Sequence, residues 1–297
     1  MTMKTFTERF LTIFGDIKIF RFPFFLVYDP GSYQVKGDDV RALLGVLQPG
    51  DILLRGYTHY LDGKFIPGKF SHAGLYCGAI HDSDRALAGT RQRSRGARDE
   101  AQSALFHTGE QMVIHAMAEG VFIEDILTFS RCDQLAVLRL PEHIALPEGA
   151  PPSPIDAALL SPEEHSLRER LASGEAIPRE EFTTLAIAEA LRNVGRDYDF
   201  GFDFSDFKRL SCSELVYWCF KSVAELIDVR PRTVKVLFLQ RQAIPPDDFL
   251  GEPLQRVWAS ASVLQRHPEL GFPEIRRPAA ARGPGPGGAT DRRASSG

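Results

Sequence analysis

The chain has 297 residues, of which 43% are hydrophobic and 25% charged, and it carries a formal net charge of -4. That length and balance suit one large or two small globular domains with a sizeable core, and the charge argues against nucleic acid as a partner. Its four cysteines (Cys77, Cys132, Cys212 and Cys219) include no CxxC pair, so neither a disulfide framework nor a structural zinc site is expected.

The N-terminal stretch MTMKTFTERFLTIFGDIKIFRFPFFLVYDP is aromatic, but Glu8, Arg9, Asp16, Lys18 and Arg21 interrupt it. It has neither the apolar run and cleavage site of a secretory signal nor a bilayer-spanning length. Cytoplasmic residence is therefore the expectation. Residues 1–44 read as a segment packed on the domain or lying at a membrane surface. In the second reading, residues 1–25 make a peripheral membrane contact, with Phe20, Phe22, Phe24 and Phe25 entering the interface.

GDDVRALLGVLQPGD predicts a short helix stopped by Pro49-Gly50. DILLRGY and SHAGLYCGAI then read as strands on either side of a loop rich in glycine and aromatics. The polar, arginine-rich insert that follows is an exposed excursion, and residues 82–102 are a candidate lid over a site. QMVIHAMA, GVFIEDI and QLAVLRL resume the strand pattern, with a turn at AEG making the first two a hairpin. Residues 141–160 form a proline- and alanine-rich connector. SPEEHSLRERLASG, REEFTTLAIAEALRNVG and SCSELVYWCFKSVAELI predict three helices. Residues 276–297, low in apolar side chains, read as a disordered tail. Strands followed by helices, with little alternation, predict an α+β fold around a mainly antiparallel sheet.

At the start of the third helix, Ser211 and Glu214 have capping-box spacing, which places Cys212 at the first helical position. Free N–H groups and the helix dipole favour a thiolate there. By itself Cys212 reads more readily as a small buried hydrophobe. A nucleophile needs a base held by a third group. In SHAGLYCG, His72 shares a strand face with Gly74, which leaves room for a substrate or a second element. In MVIHAMA, His115 lies in an apolar run, where it needs a partner and could orient His72. No HExxH-type spacing supports a metal, and no cofactor is expected.

PGDILLRG, FSHAGLYCG, VIHAMAEGV and YDFGFDFSDFKRLSCSELVYW together resemble the circularly permuted NlpC-type cysteine hydrolases, the YiiX/YebB/YaeF-like branch of the papain-like superfamily. The resemblance covers roughly residues 45–225. It implies a permuted papain-like or NlpC-like fold: an antiparallel β-sheet packed against helices, with the nucleophile at a helix N-terminus, in a catalytic domain over 45–275. It makes Cys212 the nucleophile and His72 the base. The third polar position falls on His115, in a motif that often reads VIEA and here reads VIHA, and Glu119 in the following turn is the alternative orienter. Tyr57 or Tyr60 could complete an oxyanion hole begun by the Cys212 N–H. Asp199 and Asp203 would hold the loop before Cys212 or bind a substrate amine. The activity so implied is hydrolysis of an amide, in a small peptide or an N-acyl compound, through an acyl-enzyme and a Cys-His-His triad. The alternatives are acyl transfer or thioester cleavage on lipid at a membrane surface, and a non-catalytic binding module.

Overall fold

A computed structural model describes residues 33–58, 68–90, 105–147, 155, 157–201, 204, 208–236 and 239–274, together with two short paired strands at Lys18–Ile19 and Leu26–Val27. Residues 276–297, most of 1–44, and positions Tyr60 and Asp203 lie outside the described residues, as do residues 91–102 of the candidate lid.

The strands predicted in the first half pair into one antiparallel sheet. They are β1 (Ile52–Gly56), β2 (His72–Ile80), β3 (Gly109–Met117), β4 (Gly120–Asp125) and β5 (Gln134–Arg139). A sixth strand, β6 (Gln255–Ala259), joins from more than 110 residues downstream, and the spatial order is β6-β5-β1-β2-β3-β4. All neighbouring pairs are antiparallel. The helices are α1 (Gly37–Leu44), α2 (Ile126–Phe129), α3 (Pro162–Ala172), α4 (Arg179–Asn193), α5 (Cys212–Cys219) and α6 (Ala261–Arg266).

Period-two alternation divides the sheet between two cores. Ile52, Leu54, Ala73, Leu75, Cys77, Ile114 and Ala116 face α4 and α5, contributing to one buried cluster with Ala186, Leu215, Val216 and Cys219. On the other face, Leu53, Tyr76, Val113, Leu135, Val137 and Trp258 pack with Leu43 of α1 and Phe129 of α2. The β3–β4 hairpin turns through Ala118 and Glu119, so that Met117 pairs with Gly120. Gly120 has φ +108°, and a Cβ there would lie 2.2 Å from the Arg196 carbonyl oxygen. Only glycine lets the chain at the end of α4 approach this closely, where Val121 and Arg196 are joined by a backbone hydrogen bond of 2.8 Å.

Helix α5 is shorter than its apolar pattern predicts. It ends at Cys219, and a 3-10 turn over Lys221–Val223 replaces the continuation. Lys221 is buried there and its ammonium donates to Glu164 of α3 at 2.7 Å. In the acidic aromatic segment before α5, Asp197–Tyr198 pairs in parallel with Arg209–Leu210.

Candidate active site

The register of the sheet determines which polar side chains meet. Arg55 lies opposite His72, Gly74 opposite His115, and His115 opposite Phe122. Paired residues share a face, so Arg55, His72, His115 and Glu124 all project on the α2 side of the sheet. His72 Nε2 and His115 Nδ1 are 2.9 Å apart. On the far side of the second ring, His115 Nε2 lies 3.0 Å from Glu124 Oε1, oblique to the ring N–H. The chain of groups continues to Arg55, whose Nη1 is 3.6 Å from the same carboxylate oxygen.

Aromatic rings wall this cluster. Phe129 packs 5.9 Å from the His72 ring and 5.1 Å from the His115 ring, and Phe122 lies 4.3 Å from His115. The Arg55 guanidinium sits 4.5 Å over the Phe129 ring, donates to the Phe129 carbonyl at 3.2 Å, and reaches Met117 Sδ at 3.0 Å. Cation–π contact of this kind suits a desolvated guanidinium.

Cys212 arrives from the opposite side of the sheet. Ser211 caps α5: its hydroxyl accepts from the Glu214 N–H at 3.4 Å, while Glu214 Oε2 accepts from the Ser211 N–H at 2.7 Å. The capping box therefore forms as its spacing predicts, and it sets Cys212 at the first helical position. The buried thiol meets the backbone N–H of Ala73, the residue after His72, and lies 3.9 Å from the Ser213 hydroxyl. Helix α5 thus delivers the sulfur to the end of β2 where His72 begins the strand.

Charge is tightly controlled. Burial pushes the Cys212 thiol up, a rise that N–H donation from Ala73, contact with Ser213 and the field of Arg55 only partly offset. Burial, with Arg55 and His115 nearby, holds His72 well below the ordinary imidazole value. His115 is lowered to about 4, by burial first and with Arg55 adding to it, against the pull of Glu124. Burial alone would raise the Glu124 carboxyl. Its contact with His115, with Arg55 and Arg131 close by, more than reverses this and holds it below the usual range. The resting cluster is therefore one carboxylate and one guanidinium around two neutral imidazoles and a neutral thiol.

Glu119, the carboxylate that the hairpin turn suggested, is exposed in that turn, and it is Glu124 that stands beside His115. Neither Glu124 nor Arg55 stands out in the sequence. A signal for Glu124 exists in the hairpin: a turn through Ala118 and Glu119 places residue 124 diagonally across from 115 on the same face. Tyr57 is half-buried, 5.7 Å from the Arg55 guanidinium and 6.3 Å from Tyr33, within the α2-side core. Asp199 is buried and accepts the Gly201 N–H at 2.9 Å, while its own N–H donates to Leu210. Both contacts hold the chain that leads into α5. Among the described residues, no group of three His, Cys, Asp or Glu side chains is placed to hold a metal ion.

Residues 46–158 match the model of a family described as permuted papain-like amidase enzymes, YaeF/YiiX, C92. The matched stretch carries both histidine strands and Glu124, and the cysteine helix lies beyond it. The match bears out the resemblance seen in the sequence to permuted papain-like cysteine hydrolases. No curated protein matches the chain. Among solved structures, one from Escherichia coli O157:H7, described as the metalloprotein yiiX, matches at 16% identity and a TM-score of 0.41. That match covers 72% of this chain and 97% of the other.

Proposed function

We propose that this chain of the permuted papain-like amidase type cleaves an amide bond, in a small peptide or an N-acyl compound, with Cys212 as nucleophile, His72 as base and His115 as the orienter of His72. The observation that carries the reading is the 2.9 Å contact between His72 Nε2 and His115 Nδ1, at the strand end whose next backbone N–H meets the Cys212 thiol. A nucleophile, a base and an orienting group are the minimum set for covalent acyl chemistry, and here the orienter touches the base while the nucleophile meets the backbone next to it.

In this reading the substrate carbonyl enters at the N-terminus of α5. The backbone N–H of Cys212 faces the oxygen as charge develops on it, an arrangement favoured by the positive end of the helix dipole. The neutral thiol loses its proton only as sulfur attacks, which suits a buried site where a free thiolate would be costly. The Phe122 and Phe129 rings form an apolar wall beside the histidines. Such a wall excludes water from the acyl-enzyme until the leaving amine departs. Asp199 holds the approach to α5.

The test uses a peptidyl or N-acyl electrophile on the full chain at pH 7. Stoichiometric modification at Cys212 is expected, absent in Cys212→Ala and slowed about 10²-fold in His72→Ala, the usual worth of a positioned base. Modification no faster than that of a free cysteine peptide would overturn the reading and favour a binding module on the same fold.

A further inference from the structure

Of the four polar groups on the α2 face of the sheet, two, Glu124 and Arg55, have no role in a Cys-His-His triad. Glu124 sits beyond His115, 3.0 Å from its Nε2, and Arg55 sits beside Glu124. Arg55 is 4% exposed, and burying its charge needs compensation. The guanidinium is compensated by Glu124 and the Phe129 ring and carbonyl, and the fields of both charged groups reach the histidines.

We propose that Glu124, acting through His115, sets the tautomer of His72 so that His72 Nδ1 is the nitrogen that takes the Cys212 proton, and that Arg55 holds Glu124 in place. The inference rests on the reading of Cys212 and His72 given above. A neutral imidazole has one N–H and one lone pair. A carboxylate only accepts, so Glu124, 3.0 Å from His115 Nε2 though oblique to its N–H, favours the His115 proton on Nε2. His115 Nδ1 is then a lone pair, and at 2.9 Å it must accept from His72 Nε2–H. His72 Nδ1 is thereby left bare. Were His115 turned to the other tautomer, it would donate to His72 Nε2. His72 would then present an N–H to the thiol and could accept nothing.

The groups facing His115 are few: His72 from β2, Arg55 from β1 and Glu124 from β4, with the Phe122 and Phe129 rings. Arg131 also acts on Glu124. Of these, Glu124 alone distinguishes the two tautomers by accepting. In acylation the Cys212 S–H bond breaks, its proton moves to His72 Nδ1, and sulfur bonds to the substrate carbonyl carbon while the π pair moves to oxygen. The resulting imidazolium keeps its Nε2–H donated to His115. As the C–N bond breaks, the proton passes from Nδ1 to the leaving amine. Water then enters, gives a proton to Nδ1 as it attacks the thioester, and the proton returns to sulfur as the acid departs. Glu124 and His115 stay in their protonation states throughout, so they are positioning residues.

Nitrogen-15 spectra of the full chain labelled at histidine test this directly, in wild type, Cys212→Ala and the near-isosteric Glu124→Gln. In wild type and Cys212→Ala, both His72 and His115 are expected to carry their proton on Nε2. In Glu124→Gln, at least one ring should populate the Nδ1–H form, and electrophile labelling of Cys212 at pH 7 should fall about 10²-fold. An Arg55→Lys variant, which keeps the charge but loses the guanidinium fork, is expected to give an intermediate loss. Unchanged tautomers together with unchanged labelling in Glu124→Gln would overturn the proposal. If wild-type Cys212 resists the electrophile while the tautomers behave as stated, the catalytic reading fails and the tautomer assignment stands. If Glu124→Gln unfolds, the wild-type spectra decide alone, since a His115 proton on Nδ1 is incompatible with the relay.

Discussion

Gly74 has no room for a side chain. A Cβ there would lie 2.9 Å from Phe129 Cε2 and 3.0 Å from Val113 Cγ1. The sequence places this glycine on the face of His72, with space beside it for a substrate or a second element. The structure fills that space with Phe129 of α2, whose ring packs on both histidines and carries the Arg55 guanidinium. Gly74→Ala is thus expected to push Phe129 off the histidines. The cost should be about 1–3 kcal/mol of stability, as for overpacking in a filled core, together with slower labelling of Cys212. Denaturant titration and labelling kinetics check both, and a variant as stable and as reactive as wild type would refute it. The two glutamates differ in the same local way. Glu119→Gln changes an exposed turn and is expected to leave labelling within about twofold. A loss equal to that of Glu124→Gln would return the orienting role to Glu119. Cys212, His72 and His115 were legible because each stands in a patterned stretch where its type is unusual. Glu124 and Arg55 were not, because an acid near a strand end and an arginine after DILL look like ordinary surface residues until the register is known.

Elements decide where the sulfur sits. The capping box joining Ser211 and Glu214 was readable from spacing alone, because it depends on residues within one turn. Ser211→Ala removes the acceptor for the Glu214 N–H and should cost about 1 kcal/mol. In a chain this size, that lowers the melting temperature by about 2–4 °C. A melting temperature unchanged within error would mean the cap contributes nothing. The end of the same helix was not readable. SCSELVYWCFKSVAELI has an unbroken apolar pattern, yet the helix stops at Cys219, just before Lys221 reaches Glu164 of α3, 57 positions earlier. Both side chains are nearly sealed from solvent, at 1% and 5% exposure. Lys221→Met leaves a buried carboxylate alone and should cost about 3–5 kcal/mol, whereas adding Glu164→Leu should recover much of the loss. A double-mutant cycle by urea unfolding measures this, and additive losses would show that the pair is uncoupled. Strand β6 also escaped sequence reading. QRVWA is a short edge segment that pairs with β5 only through contacts spanning the length of the domain.

At the scale of the whole molecule, the sheet buries two imidazoles between its strands and the α2-side core, and this links stability to pH. In the unfolded chain, His72 and His115 titrate near 6.5. Folded, burial lowers both, His115 to about 4 and His72 well below its ordinary value. Between about pH 6.5 and 4 the unfolded state therefore binds protons that the native state refuses. Stability is complete above 6.5 and falls as the solution is acidified, at about 1.4 kcal/mol per pH unit for each ring. Glu124 adds to the loss at lower pH. Its folded value is lowered, so its contribution is present above its unfolded value and disappears as pH falls through the folded one. Unfolding midpoints measured from pH 7.5 to 4.5 should drop with a slope approaching two protons, and His115→Gln should reduce that slope by about one proton whatever its own stability. A midpoint flat between pH 7 and 5 would mean that the histidines charge freely in the folded chain. In that case the pair could not serve as a neutral base and its orienter, because a charged His72 has no lone pair to offer Cys212. The expected acid sensitivity of the fold and the availability of the proposed base are thus one property, set by how deeply the sheet buries the same two rings.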